Sequence, residues 1–315
     1  MIEIIGAPFD LGGAMMGSRL GPEALRLAGL RPELEALGLA VEDGGDVPVR
    51  AEARAGEGIR GMASALDCVR QLQTWCAASL KAGKVPLVLG GEHTIAAGGI
   101  SAALQVYGGD LAVLWVDAHA DVNTPKTSPS GHVHGMPLAA LAGLASGVKG
   151  KAEADWKSFL DVLGPNRLRP DRVAWLGLRD VDPGERDLLA SWPKCFVSTM
   201  HDVDRHGAVF EIERFHEWMS GTGCSRLWIS FDVDALDPFL APGSGTTVRG
   251  GLTYREAHLC AEMLREQLDA AGAGYRLAGV DLVETNPLWD ERNRTARVTV
   301  EWIASLFGKT ILGKR

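Results

Sequence analysis

Two short stretches of this sequence gather more acid and imidazole than turns or helix starts require. In Asp117-Ala-His119-Ala-Asp121, two carboxylates and an imidazole occupy alternate positions. Alternate residues of an extended segment point the same way, so all three converge. Asp232-Val-Asp234 repeats the spacing, with Asp237-Pro238 just beyond, and Gly90-Gly-Glu-His93 supplies another histidine. One Asp-x-Asp alone is ordinary turn chemistry. Three such groups, each following a strand-like run, call for another explanation. Carboxylates clustered without cations suffer desolvation and mutual repulsion, which bound metal ions relieve. An oxygen-rich set with a minority of histidines suits Mn(II) better than a thiolate set would. His93, Asp117, His119, Asp121, Asp232 and Asp234 are too many for one catalytic ion with open positions. Two ions about 3.5–4 Å apart, sharing carboxylates, fit better.

These residues need a frame that presents strand ends together. Val85–Leu89, Leu111–Val116, Arg172–Leu178, Leu227–Phe231 and Leu277–Val280 are near-continuous apolar runs, and each leads into charged or imidazole residues. Such runs suit strands covered on both faces, as in parallel sheets. Helical patterns lie between them, at Gly58–Leu80, Val209–Met219 and Tyr254–Ala271, the last with Thr253 as cap and Glu256 three residues on. The alternation predicts an α/β fold. We expect a single three-layer domain over residues 1–315, with a central, mostly parallel sheet flanked by helices. The metal site falls at the C-terminal strand ends, where such sheets bind ligands. Val148–Pro170, with mixed charge, reads as an exposed excursion.

Composition narrows the partners. The 315 residues carry 40 acids against 32 Lys and Arg, a net charge of −8, which argues against nucleic acid. No run is long and apolar enough to span a membrane, and the N-terminus lacks the pattern of a signal peptide. The five cysteines show no metal-type pairing and read as reduced thiols of a cytoplasmic protein. The 39 glycines are not periodic; they fit tight strand-to-helix turns.

Gly90-Gly-Glu-His93, Asp117-Ala-His-Ala-Asp121 and Ser230-Phe-Asp-Val-Asp-Ala-Leu-Asp-Pro238 resemble the metal-binding signatures of the ureohydrolases, the arginase/agmatinase family. The resemblance runs from Gly6-Ala-Pro-Phe-Asp to Phe307-Gly-Lys-Thr310. Asp121-Val-Asn-Thr-Pro125, Arg179-Asp-Val-Asp-Pro-Gly-Glu185 and Asp281-Leu-Val-Glu-Thr-Asn-Pro287 are similar to the arginase branch. The resemblance implies two Mn(II) per subunit, one held by His93, Asp117, Asp121 and Asp232, the other by Asp117, His119, Asp232 and Asp234. It implies hydrolysis of L-arginine to L-ornithine and urea by a hydroxide bridging the ions. His134 would carry a proton to the leaving amine, and Glu284 would pair with the guanidinium. Asn123 and Ser130 would meet the α-carboxylate, Asp182 and Glu185 the α-ammonium, and Thr246 would line the pocket. Arg255 and Glu256 resemble residues that pair across subunits of a homotrimer or homohexamer.

One position departs from the pattern. The family's Ser-Gly-Asn loop has His132 where Asn is usual, from which we expect an altered KM and a pH dependence below about pH 7. Three rival readings stand beside the first: action on agmatine or on a guanidino acid, a catalytically silent metal-binding homologue, and a dinuclear phosphoesterase. Agmatine has no α-carboxylate for Asn123 and Ser130 to meet. A phosphoesterase would call for an Arg/Lys clamp near the metal-bearing strand ends, and the sequence shows no obvious one.

Overall fold

A computed structural model of the chain describes residues 1–50, 58–270 and 274–313. Its strands are β1 (Ile2–Ala7), β2 (Val41–Asp46), β3 (Val85–Gly90), β4 (Ala112–Val116), β5 (Val173–Leu178), β6 (Phe196–Thr199), β7 (Arg226–Asp232) and β8 (Arg276–Val283). They form one sheet in the order β2-β1-β3-β8-β7-β4-β5-β6, and every pairing is parallel. The late strands β7 and β8 insert between β3 and β4. That insertion brings sequence-distant strand ends side by side.

The apolar runs behave as their composition predicts. Along β4, Ala112, Leu114 and Val116 join the core on one side of the sheet, while Val113 and Trp115 join the core on the other. Helices cover both sides. Met62–Lys81 and Ala96–Tyr107 pack on one face; Tyr254–Asp269 and Arg294–Leu306 pack on the other. The Thr253 cap forms as expected, with Thr253 and Glu256 bonding each other's backbone N–H in a capping box.

The segment read as an exposed excursion is corrected. Lys151–Leu163 is a helix that buries Trp156, Phe159 and Leu163 against the Met62–Lys81 side of the core. Its apolar residues recur at helical spacing; Lys151, Lys157 and Asp161 are exposed, while Asp155 is buried and accepts from Ile59 N at 3.0 Å. The sheet also has strands that no long apolar run announces. β2 is Val-Glu-Asp-Gly-Gly-Asp, a half-exposed edge, and β6 has four residues.

Candidate active site

The four adjacent central strands, β3, β8, β7 and β4, carry the functional side chains at their C-terminal ends. After β3 the chain turns through Gly90-Gly91, where a Cβ on Gly91 would lie 1.8 Å from the Phe9 carbonyl oxygen. His93 follows in a short turn. Its ring stacks on Trp115, with centroids 4.0 Å apart and planes 7° apart. Nε2 sits 2.8 Å from the Ser230 hydroxyl, which in turn donates to Asp281, so Nδ1 is the nitrogen turned to the cavity floor. Such outer partners fix a ligating ring's orientation.

His93 Nδ1 lies 3.1 Å from carboxylate oxygens of Asp117, Asp121 and Asp232, yet makes no well-directed hydrogen bond. A buried ring nitrogen centred among three acids is the donor geometry of a cation site. Beside it, His119 Nδ1 is 3.4 Å from Asp117 and 3.2 Å from Asp234. Asp117 turns one oxygen to His93 and the other to His119, so it stands between the two groups. Trp115 Nε1 and the His119 backbone N–H donate to the Asp117 carboxylate, at 2.9 and 2.7 Å. Asp234 accepts from Ala118 N at 3.2 Å and from Thr246 Oγ1 at 2.8 Å.

Burial and mutual repulsion push the pKa values of Asp121, Asp232 and Asp234 upward. Burial opposes the charge on His93 and His119, but the surrounding carboxylates outweigh it and raise both. Protons thus offset the crowded negative charge here, a role divalent cations would take over. The donor set fits two of them.

Asp121 and Glu284 have φ of 51° and 61°, in the left-handed region. For side-chain-bearing residues that conformation costs about 1–3 kcal/mol and clusters at functional sites. Glu284 Oε1 accepts from His93 N at 3.1 Å and lies 3.3 Å from His134 Nδ1. Burial opposes a charge on His134, but Glu284, Glu92 and Asp121 prevail and lift its pKa to about 9.

A cavity of about 240 Å³ opens above this floor. Asp121, Asn123, Ser130, His134, Asp182, Glu185, Thr246 and Glu284 line it, with His119 and Asp232 at its base. Asn123 is held at both ends: Nδ2 donates to Asp182 at 3.0 Å, and Oδ1 accepts from Thr127 Oγ1 at 2.8 Å. Glu185 is buried and already engaged. It accepts from Val122 N at 3.2 Å and from Asp182 N at 3.0 Å, bracing both walls as part of a capping box. Burial, then the charge of Asp121, pushes its pKa up to about 8.

His132 neighbours the cavity in sequence through Ser130. It is outside the cavity lining, and its Nε2 lies 3.3 Å from Arg60 Nη1. Arg60 also donates its backbone N–H to Gly131 O at 3.1 Å, which draws the loop toward it. The sequence reading missed other supports. Ser230 precedes Asp232 by two residues on the same strand face, a spacing that could have flagged it. The Arg179 guanidinium reaches carbonyl oxygens of Asp234, Ala235, Leu236 and Val248, tying two site loops together. Nothing local in the sequence signals that.

A family profile described as the arginase family matches residues 1–308. The chain belongs to the arginase family. It is 40% identical to an arginase of Staphylococcus aureus over 99% of this chain and 98% of that one. The crystal structure of arginase from Bacillus subtilis superposes with a TM-score of 0.86 at 38% identity, covering 99% of both chains. The native arginase of Bacillus caldovelox gives 0.88 at 39% identity, over 98% of this chain and 99% of that one. Membership of the arginase family makes this protein a hydrolase of linear amidines. Among the described residues no helix is long and apolar enough to cross a membrane.

Proposed function

We propose that this chain, acting as one unit over residues 1–315, hydrolyses L-arginine to L-ornithine and urea. The observation that carries this reading is the pair of adjoining donor groups on Asp117: His93 with Asp121 and Asp232 on one side, His119 with Asp234 on the other. Their mix of carboxylate and imidazole supports two Mn(II) per subunit; His93, Asp117, Asp121 and Asp232 would hold one, and Asp117, His119, Asp232 and Asp234 the other. When bound, such a pair supplies an acidified water that serves as hydroxide near neutral pH.

The chain's own residues position and protonate. Glu284 offers its carboxylate to the planar guanidinium and holds the guanidinium carbon over the floor. Asp121 shapes that floor beside it. As water oxygen bonds to this carbon, the bond from carbon to the ornithine nitrogen breaks. The departing nitrogen needs a proton, and His134 is placed to give it. With Nδ1 on Glu284, its Nε2 is the ring atom left to deliver that proton. Asn123 and Ser130 meet the α-carboxylate, while Asp182 faces the α-ammonium, with Glu185 bracing it. Thr246, bonded to Asp234, closes the guanidinium end. His132 tunes the carboxylate side through its loop.

Five free cysteines support a cytoplasmic location. Arg255 lies 3.6 Å from Glu262 of its own helix and is largely exposed, which leaves it available for pairing in a homotrimer or homohexamer. Urea release from L-arginine, agmatine and guanidinobutyrate, with Mn(II) supplied, tests the reading. L-Arginine is expected to be the preferred substrate. No urea from L-arginine by protein with bound metal overturns it, and preference for agmatine would favour the rival ureohydrolase activity.

A further inference from the structure

Glu92 has no place among the cation or substrate contacts above, yet it is 1% exposed. Its carboxyl is anchored on one side only. Oε2 accepts from Thr94 N at 2.8 Å and from Thr94 Oγ1 at 2.6 Å. Oε1 is buried with no hydrogen bond. A buried polar atom left unmatched is costly, so its surroundings matter.

Those surroundings are His134 and Glu284. One oxygen of each carboxylate and one ring nitrogen of His134 lie within 4.8 Å of one another. Gly12 leaves room for this packing, since a Cβ there would stand 2.4 Å from Glu92 Oε1. Gly12 O also accepts from His134 N at 3.4 Å. The backbone thus passes close enough to seat the ring against Glu92.

The proposed reaction gives Glu284 two tasks. It holds Nδ1 of His134, and it must also take the substrate guanidinium. A carboxylate drawn to the guanidinium holds the ring less firmly at the moment its proton is needed. We propose that Glu92 is a positioning residue for His134, keeping Nδ1–H turned inward and Nε2 toward the substrate while Glu284 engages the guanidinium. The inference rests on the reading of His134 as proton carrier.

Glu92→Gln keeps the shape and the Thr94 anchor while removing the second acid. In the Mn(II)-loaded variant, kcat for L-arginine is expected to fall at least about 10-fold, with KM within about 3-fold. Bound Mn(II) should equal that of the wild type, and Glu92→Asp should recover part of kcat. A kcat within about 2-fold of wild type overturns the proposal. So does a loss of kcat matched by an equal loss of metal, which would mean that Glu92 only supports the His93 turn. Should Glu92→Gln fail to fold, nitrogen NMR of histidine-labelled Glu284→Gln protein decides, because Glu92 is then the carboxylate of this cluster left to hold Nδ1. It is recorded without paramagnetic metal, at a pH where the ring is neutral, with His134 assigned by its loss in His134→Asn. Nδ1–H is the expected tautomer, and Nε2–H overturns the proposal. Absence of urea from L-arginine in the wild type overturns the functional reading instead, and the tautomer still reports on Glu92.

Discussion

At the cavity floor the cation-facing side chains come from strand ends, whereas at its mouth the substrate-facing ones come from a loop and a helix start. His93, Asp117, Asp232 and Asp234 are all at most 2% exposed. Ser230 orients His93, Trp115 orients Asp117, and the backbone of Ala118 with Thr246 orients Asp234. The mouth is built otherwise. Ser130 is exposed, and its loop is held mainly by itself, with Gly131 N on Ser128 Oγ at 3.0 Å and His132 N on Ser130 Oγ at 3.2 Å. A rigid floor and a locally tethered mouth suggest a division of labour. Changes at the floor should abolish chemistry, while changes at the mouth should shift only selection and affinity.

Asp232→Asn should break the floor most severely. Activity on L-arginine is expected to fall on the order of 10³-fold, with bound metal reduced, because the nucleophile is no longer acidified. Removing one acid also relieves repulsion with Asp234 and Asp117. The metal-free variant should therefore melt higher than metal-free wild type, while its gain in Tm from Mn(II) shrinks. A variant that loses activity yet keeps full metal and an unchanged metal-free Tm would break this account of the floor.

The same charges give the wild type a pH signature. In the metal-free folded state Asp121, Asp232 and Asp234 hold protons above their ordinary range, owing to burial and repulsion. Groups raised in this way contribute stability that is full below the unfolded pKa, about 3.9 for Asp. It is lost as pH rises through the folded values. Cations replace those protons, so the Tm gain from Mn(II) should be larger at pH 8 than at pH 5. Equal gains by calorimetry at both pH values would place the metal somewhere other than this cluster.

Asn123→Ala tests the mouth. Losing one hydrogen bond to the α-carboxylate should raise KM for L-arginine about 10-fold and leave kcat nearly unchanged. Turnover of agmatine, which lacks that carboxylate, should not respond. A comparable fall in kcat would show that the mouth also sets the chemistry, through the Asp182 and Thr127 contacts of Asn123.

The same contrast governed what the sequence made legible. At the floor the signal is local. Asp117, His119 and Asp121 share one segment, Asp232 and Asp234 another, and the apolar runs before them place both at strand ends. The left-handed backbone of Asp121 and Glu284 was invisible, because it is imposed by packing rather than by residue type. At the mouth the contacts that tie the loop and helix start to the rest of the chain are distant in sequence. Arg60 and His132 are 72 residues apart, and Val122 and Glu185 are 63 apart. Asp182 and Glu185 did carry a readable capping-box spacing. The Lys151–Leu163 helix was misread because its charges were weighed above the period of Trp156, Phe159 and Leu163.

The smallest effect is expected at Arg60 and His132, and it tests the mouth most finely. Arg60 is a permanent donor, so the 3.3 Å contact requires His132 Nε2 to offer its lone pair. A ring protonated at that nitrogen gives Arg60 nothing to bond. The contact therefore opposes the pH dependence that His132 alone led us to expect. For the wild type, KM for L-arginine should differ by less than about 3-fold between pH 6 and pH 8, the scale of one exposed contact. Arg60→Ala removes this contact, and the dependence below about pH 7 that it suppresses should then emerge. His132→Asn, which restores the usual residue, should flatten it in the Arg60→Ala background. A strong dependence in the wild type that Arg60→Ala leaves untouched would mean that Arg60 does not control the ring, and that His132 senses the solvent or the substrate directly.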